Sequence, residues 1–484
     1  MQEIKAALWG TADILRGSID AAEYPEYVGG LIFLRYISDA FEEHRSAVRT
    51  RLIAERHDEN RLEELLEIRE LADPRVIWIP RKARWSWIGS HANSRNAGEL
   101  IDEAMHAIML ANPSLRGALP TTFQRGIAGQ GRLAEVVALI DRVRIDSNWE
   151  KPAREVLAEV YEYFLDRFAR TEGRRGGEYR TPRSVSRLLV GILEPYEGPV
   201  YDPACGSGNL LAQAGTFMAV HQGERGARFE NTVYGQEINE RTWRLARMNL
   251  TAHDVEYDLG TRWGDTLADD EHPDLKADFV MAQPPFGASD WPRNEDDPRW
   301  VYGVPPRTNA NYAWLQHAVS KLSDRGTAGI VLANGSLFSQ SPAERRIRRG
   351  LVRADLVAAI VALPGQLFHS TRIPACLWVL AKGKSAGRKG QILFVDAHGM
   401  GTIASDTERV LMDEDLAKIT GTYHAWRGRS VARGRLTYQD DPGFCFSADL
   451  QTVRTHEYDL TPGRYVGATT QPRALTKDLY GVFN

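Results

Sequence analysis

The chain has 484 residues, of which 43% are hydrophobic and 26% are charged, and its formal net charge is −4. These values are typical of a soluble globular protein with two or three domains. They disfavour a chain that binds DNA alone, because such proteins usually carry a net basic surface.

Targeting and redox signals point to the cytoplasm. No apolar run approaches the roughly 18 residues of a membrane span, and the N-terminus MQEIKAALWG does not resemble a signal peptide. The three cysteines, Cys205, Cys376 and Cys445, are odd in number and far apart. We therefore expect neither a disulfide framework nor a zinc knuckle, and no metal site.

Residues 1–150 are predicted to form a helical domain. Apolar residues recur every three or four positions in segments 8–17 and 26–45. The charged segment 54–74 predicts a solvated helix that ends before Pro74. Segment 75–88 interleaves tryptophan with basic residues, which suits either nucleic-acid stacking or a packed loop or short strand; we favour the packed alternative.

From about residue 151 short apolar segments alternate with helical ones, which predicts a parallel sheet with crossover helices. Strands are expected within 198–202, 231–238, 277–282, 326–338 and 356–364, with helices at 209–222 and 239–254. This α/β domain is expected to span residues 151–440. Residues 441–484 are expected to be a C-terminal tail, because no strong pattern follows Asp441.

The segment VYDPACGSG carries the first chemical signal. A buried strand delivers Asp202 to the carboxyl edge of the sheet, where α/β folds bind ligands, and Gly206 and Gly208 permit a tight turn. Asp202 can pair with a cationic amine. Leu211 occupies the position of the third glycine of dinucleotide fingerprints, which disfavours a pyrophosphate loop.

Two further acids follow apolar segments. Glu237 can accept two hydrogen bonds from a ribose diol, and Asp265, after a strand-like segment, can accept one from an adenine amino group. Each acid alone is more often a turn or cap residue. Three acids at the ends of three successive strands predict a site for S-adenosylmethionine.

The segment Gln283-Pro284-Pro285-Phe286 follows the next strand. An amide and a free proline carbonyl can accept both hydrogens of an exocyclic amine, and Phe286 can stack on a base. Two acceptors favour a pyramidal nitrogen, which can then attack a sulfonium methyl in line. The alternative, a simple strand terminator, is disfavoured by the position after the cofactor strands.

Together these motifs resemble the modification subunit of type I restriction–modification systems, an adenine-N6 DNA methyltransferase. The segments VYDPACGSGNLL, GQEINERTWRLARMNL, RWGDTL, DLKADFVMAQPPFG and NANYAWLQH follow in the family's order. The resemblance implies a helical N-terminal domain followed by a doubly wound Rossmann-like methyltransferase domain. The cofactor residues that it implies are Glu178, Tyr179, Thr181, Pro182, Asp202, Ala204, Gly206, Ser207, Gly208, Asn209, Glu237 and Asp265.

The resemblance also implies the partners. The expected substrate is a flipped adenine in double-stranded DNA. A specificity subunit is expected to supply sequence recognition, with two copies of this chain in each complex, and whether a restriction subunit joins is left open.

Gln283 stands where the family has asparagine, and the extra methylene moves the amide by roughly an ångström. One alternative is therefore a cofactor-binding subunit with weak or no catalysis. A second alternative is a protein-glutamine methyltransferase, since those enzymes also use an amide before Pro-Pro and an aromatic. The basic run 344–349 leaves two options open, a phosphate contact or one solvated face of a helix.

Overall fold

The structure is a computed structural model. It describes residues 10–11, 13–15, 19, 23–55, 58–69, 76–93, 95–126, 130–142, 163, 181–225, 232–368, 373–405, 408–428, 430–431, 434–435 and 437–467. The chain divides into two compact units. One unit comprises Met1–Glu172 with Glu240–Val255, and the other comprises Gly173–Asn239 with Glu256–Asn484.

The first unit is helical, as predicted. Its described helices are α1 (Tyr24–Ala54), α2 (Glu59–Leu65), α3 (Trp85–His91), α4 (Ala97–Ala111), α5 (Phe123–Gly126), α6 (Gln130–Arg142) and α9 (Glu240–Ala252). Helix α1 is 31 residues long and has a proline in its first turn, where the missing N–H costs nothing. Its apolar side chains, including the fully buried Leu31 and Phe33, form the core of this unit.

Helix α9 belongs to this helical unit although it lies between two strands of the sheet in the chain. Arg244 donates to Glu26 of α1 at 2.7 Å, and Arg241 donates to Glu23 at 2.7 Å. Leu245 and Met248 of α9 are buried in the same core as α1. The predicted helix at 239–254 is therefore present. The periodicity of its own residues could not predict that it packs on α1.

Two expectations for this unit need correction. The described part of the charged segment contains the short helix α2, whose Arg61, Glu63 and Glu64 are exposed, but Leu62 is buried against Leu52 of α1, so one face of this helix is not solvated. Segment 75–88 holds a packed tryptophan, as favoured, since Trp85 is 1% exposed. The expectation of a loop or strand was wrong for Trp85 and Trp87, which lie in α3, whereas Trp78 packs on the core from an irregular segment, as expected.

The second unit is built on a nine-stranded sheet with the order β13-β8-β6-β7-β5-β4-β1-β2-β3. These strands are β1 (Val200–Asp202), β2 (Val233–Gly235), β3 (Tyr257–Asp258), β4 (Ala277–Ala282), β5 (Leu322–Ala333), β6 (Val357–Ala362), β7 (Ala375–Ala381), β8 (Gln391–Asp396) and β13 (Cys445–Asp449). Strands β3, β2, β1, β4 and β5 run parallel to one another, whereas β7 is antiparallel to both of its neighbours, β5 and β6. The α/β expectation is confirmed, and the sheet is mixed rather than wholly parallel.

Two small hairpins and several helices complete the described part of this unit. The hairpins pair β9 (Thr402–Ser405) with β10 (Glu408–Val410) and β11 (Ser430–Val431) with β12 (Gly434–Arg435). The helices are α7 (Arg183–Leu193), α8 (Asn209–Arg225), α10 (Asn311–Lys321), α11 (Gly335–Phe338), α12 (Pro342–Arg353), α13 (Asp413–Arg427) and α14 (Leu450–Thr455). Helix α8 packs on β1 and β2, α10 on β4 and β5, and α13 on β8. Every side chain of β6 and β7 is buried, as expected for strands inside a layered sheet.

Residues 441–467 add an edge strand, which the sequence pattern did not predict. Strand β13 pairs antiparallel with β8, and the ring of Tyr465 stacks on Phe394 with centroids 3.7 Å apart. This region therefore covers one edge of the sheet instead of trailing from it. Within the described ranges, no helix is long and apolar enough to cross a bilayer.

Candidate cofactor and target site

The parallel strands β1, β2 and β4 are neighbours in the sheet, so their carboxyl ends lie at one edge. Asp202 ends β1 and is only 2% exposed. Its Oδ1 accepts a hydrogen bond from the Ala204 N–H at 3.0 Å. Burial, with a smaller contribution from the nearby carboxylate of Glu237, raises the pKa of Asp202 to about 8. A buried carboxyl of this kind is stabilised in its ionised form by a cation.

The turn after β1 is held against the end of β2. The Gly206 N–H donates to Glu237 Oε2 at 3.0 Å, and Glu237 Oε1 accepts from the Asn239 N–H at 2.8 Å. Gly206 and Gly208 have φ of 55° and 75°, in the left-handed region that favours glycine. The Glu237 carboxylate is thereby fixed beside the loop that follows Asp202.

The loop geometry tests whether S-adenosylmethionine fits this edge. A Cβ placed on Gly206 would meet no atom within 4 Å, so space is open in front of the loop. The buried acid Asp202 offers a partner for a cationic amine, and Glu237 offers oxygens to a diol. The residues present therefore fit the cofactor in charge and hydrogen-bonding chemistry.

Asp265 does not follow a strand, contrary to the sequence interpretation. Strand β3 ends at Asp258, and Asp265 lies in a turn, where its Oδ1 accepts from the Leu267 N–H at 2.9 Å. The turn is anchored by Thr266, whose hydroxyl donates to the carbonyl of Pro203 at 2.5 Å. The third acid thus reaches the cofactor edge through a hydrogen-bonded turn, because the chain leaves the sheet after only two paired residues.

Two residues that support this turn were missed in the sequence. The fully buried Gln236 donates to the carbonyls of Gly264 at 3.2 Å and Asp269 at 2.6 Å. Arg299 donates to the carbonyls of Thr266 at 3.0 Å and Leu267 at 2.7 Å. For Gln236, the only feature of the sequence that could have indicated this role is its position as a polar residue at the end of a buried strand. Arg299 lies in a loop, and no local pattern distinguishes it.

Arg299 belongs to a buried polar network. Its guanidinium forms a bidentate ion pair with Asp297 and contacts His317 Nδ1 at 3.0 Å, and His317 Nε2 lies 3.2 Å from the Tyr201 hydroxyl. Burial, together with the nearby guanidinium of Arg299, lowers the pKa of His317 to about 3, so the ring is neutral. The network joins the loop after β4 to the Asp265 turn and to β1.

The motif after β4 is closely hydrogen-bonded. The Gln283 Nε2 donates to the Pro284 carbonyl at 3.1 Å, and Gln283 Oε1 accepts from the Thr181 hydroxyl at 3.3 Å. The rings of Phe286 and Phe368 pack nearly perpendicular to each other, with their centroids 5.2 Å apart. The Gly287 N–H donates to the buried Asn311 side chain at 3.2 Å.

The remaining candidate residues lie in three places. Ala204, Ser207 and Gly208 lie in the turn between β1 and α8, and Asn209 is the first residue of α8. Pro182 immediately precedes α7, and Pro285 lies between Pro284 and Phe286. Glu178 and Tyr179 lie outside the described residues. Over the described ranges, no group of three or more potential metal ligands is found.

In the basic run 344–349, the side chains of Arg345, Arg346 and Arg349 lie on a solvated helix face, whereas Arg348 does not, and a phosphate contact stays a prediction. Arg348 is 2% exposed and donates to the carbonyl of Tyr458 at 2.8 Å and to the hydroxyl of Tyr312 at 3.3 Å. Arg345 and Arg346 lie on the exposed face of α12. One arginine of the run is therefore a core hydrogen-bond donor, which the helical spacing alone did not reveal.

Comparisons with known proteins agree with this fold. The family model described as N-6 DNA Methylase matches residues 152–473, and the HsdM N-terminal domain model matches residues 4–140. A solved structure of the type I restriction-modification system methyltransferase subunit from Streptococcus thermophilus has a TM-score of 0.78 at 24% identity. The match covers 96% of this chain and 99% of that chain, so the two share a fold.

Curated relatives carry the resemblance further. The type I restriction enzyme HindI methylase subunit of Haemophilus influenzae is 42% identical over 421 residues, which cover 81% of this chain and 90% of the relative. The MjaIX methylase subunit of Methanocaldococcus jannaschii is 32% identical over 480 residues, covering 96% and 84%. The resemblance expected from the motifs is confirmed, and the chain belongs to the N-6 DNA methylase family.

Proposed function

We propose that this chain transfers a methyl group from S-adenosylmethionine to the N6 amino group of adenine in DNA, as the methylase subunit of a type I restriction–modification complex. The observation that carries the proposal is the position of the Gln283 amide and Pro284 carbonyl after β4. That strand is paired directly with β1, which ends at Asp202. A pair of amine acceptors and a cation-binding acid therefore follow adjacent parallel strands.

The cofactor side uses three acids of this chain. When bound, S-adenosylmethionine supplies an electrophilic methyl group on a sulfonium. Asp202 holds the cationic amine, Glu237 holds the ribose hydroxyls, and Asp265 accepts from the adenine amino group. Glu237 is already oriented by the Gly206 N–H, and Asp265 by its turn, so both carboxylates are positioned before the ligand arrives.

The target side uses the residues after β4. The Gln283 Oε1 and the Pro284 carbonyl accept the two N6 hydrogens, which concentrates electron density on a nitrogen that is otherwise conjugated with the ring. Phe286 stacks on the adenine, which must leave the duplex to reach the site. Both acceptors are uncharged, so they polarise the amine without first removing its proton.

The DNA partner follows from the charge of the chain. A net charge of −4 makes tight binding by this chain alone unfavourable, so a specificity subunit supplies sequence-specific contacts. We place two copies of the chain in a cytoplasmic complex that a restriction subunit can join.

The domain divisions 1–150, 151–440 and 441–484 remain predictions.

Methyl transfer to the correct acceptor tests the proposal. The chain is purified with its specificity partner and incubated with tritiated S-adenosylmethionine and unmethylated plasmid DNA. We expect label in N6-methyladenine. Label in protein glutamine would instead support the protein methyltransferase alternative.

A second candidate function rests on Gln283. If the cofactor binds in calorimetry but no label reaches DNA, the chain is a non-catalytic subunit, and Gln283 is the residue to replace. DNA without the protein and protein without DNA are the matched controls.

A further inference from the structure

Gln283 and Thr181 lie 102 positions apart in the chain, yet their side chains form a hydrogen bond at the target motif. Gln283 is 7% exposed, so its amide has to find hydrogen-bond partners inside the protein. The described contacts supply two: the Pro284 carbonyl for Nε2 and the Thr181 hydroxyl for Oε1.

These two contacts leave one orientation for the amide. A carbonyl oxygen can only accept, so the group facing Pro284 has to be the amide nitrogen. The oxygen then faces Thr181, whose hydroxyl can donate to it. With the amide reversed, two acceptors would face each other at the Pro284 carbonyl. The hydrogen bond to the Pro284 carbonyl therefore determines the orientation of the amide, and the Thr181 hydroxyl stabilises this orientation with a second hydrogen bond.

This orientation leaves the Gln283 oxygen available to an amino group. Oε1 has two lone pairs, so it can accept one hydrogen of the target amine while it retains the bond from Thr181. The Pro284 carbonyl accepts the other hydrogen once the Gln283 Nε2, which now lies 3.1 Å from that oxygen, has moved aside.

We propose that Thr181 is a positioning residue that holds the Gln283 amide as an acceptor for the target amine, and that glutamine at position 283 requires this contact. The inference rests on the proposed function and deepens it. The Thr181 hydrogen bond offsets part of the rotamer entropy that is lost when the longer glutamine arm is held in one position. In Gln283→Asn the side chain is one methylene shorter, so we expect its amide not to reach the Thr181 hydroxyl.

The test is a double-mutant cycle on the full complex at saturating cofactor and DNA. We expect Thr181→Val to slow methylation of DNA about tenfold, as for loss of a net hydrogen bond of ordinary strength, and Thr181→Ser to stay within about twofold of the wild type. Gln283→Asn should slow the reaction about a hundredfold, because the amide is displaced by roughly an ångström. Thr181→Val should add nothing in the Gln283→Asn background.

A structural readout is independent of turnover. Thr181→Val should lower the urea midpoint of unfolding in the wild-type background and leave it unchanged in the Gln283→Asn background. The matched control is Thr455→Val, which removes an exposed hydroxyl that bonds within α14, and its effect should be the same in both backgrounds.

Three outcomes would overturn the inference: full methylation by Thr181→Val, faster methylation by Gln283→Asn, or additive effects on the midpoint. If the wild-type complex transfers no methyl group to DNA, the proposed function fails, while the midpoints still decide whether Thr181 holds Gln283.

Discussion

The cofactor side and the target side of this sheet edge satisfy their polar groups in opposite ways. Asp202 is a buried carboxyl whose pKa is raised to about 8, so its ionised form is unfavourable until a cation arrives. Gln283 is a buried neutral amide that already has partners at both ends. The comparison indicates that Asp202 gains a favourable ion pair only when a cation binds. The Gln283 amide, in contrast, is already held by hydrogen bonds before the target arrives.

Replacing Arg299 tests whether the cofactor side and the target side depend on the same buried network, and we expect it to cause the largest loss of stability. The side chains of Arg299 and Asp297 are 13% and 10% exposed, so Arg299→Met leaves a nearly buried carboxylate unpaired. We expect the free energy of unfolding to fall by about 3–5 kcal/mol and cofactor affinity to fall with it, because the Asp265 turn loses its support. Urea unfolding and calorimetry measure the two effects.

The matched control for Arg299 is Arg293→Met. Arg293 pairs with Glu295 at 2.8 Å, and the Glu295 side chain is 69% exposed, so the loss should be about 0–1 kcal/mol. Equal losses for the two variants would show that the buried network does not support the site.

Asp202 tests the electrostatic side alone. Asp202→Asn keeps the shape of the side chain but removes the charge, so we expect affinity for S-adenosylmethionine to fall by about ten- to a hundredfold. Calorimetry on the purified chain measures this, with Asp274→Asn, an exposed acid of the same unit, as control. Unchanged affinity would remove Asp202 from the amine site.

The raised pKa of Asp202 predicts a pH dependence with a defined sign. Below about pH 8 the free protein holds a proton on Asp202 that the cationic ligand must displace, so affinity should rise by up to about tenfold per pH unit towards pH 8 and then level off. The contribution of Asp202 to stability without ligand should have the opposite sign. It should fall as pH rises from about 4 to about 8, because the unfolded carboxyl releases its proton first.

Calorimetry at pH 6, 7 and 8 in buffers of different ionisation enthalpy would detect the released proton. In Asp202→Asn the slope should disappear. A slope that persists in this variant would assign the proton to another group.

Phe286 tests the target side and should have the smallest effect. We have proposed that its ring stacks on the flipped adenine, so Phe286→Leu removes an aromatic contact with the base worth about 0.5–1.5 kcal/mol. We expect KM for DNA to rise about two- to tenfold while cofactor affinity stays unchanged. Phe338→Leu, at an exposed phenylalanine, is the control; reduced cofactor affinity in Phe286→Leu would contradict the separation of the two sides.

Local pattern was sufficient for much of the fold and of the candidate site. The apolar strands around Tyr201 and Val280 were predicted because a strand buried on both faces reads as a short apolar run. Gly206 and Gly208 were identified because a tight turn with positive φ favours glycine. This requirement is local, so it can be recognised from a few adjacent residues. The order of motifs along the chain was enough to identify the family.

Only the tertiary structure determined the supports of the site. Arg299 bonds to Thr266 and Leu267 from a loop more than thirty positions away, and Thr181 reaches Gln283 across 102 positions. Asp265 was wrongly assigned to a strand end because hydrogen bonds, not periodicity, hold its turn. Such contacts depend on which distant segments the folded sheet brings together. Sequence periodicity cannot predict them, because it indicates only which side chains share a face of one helix or strand.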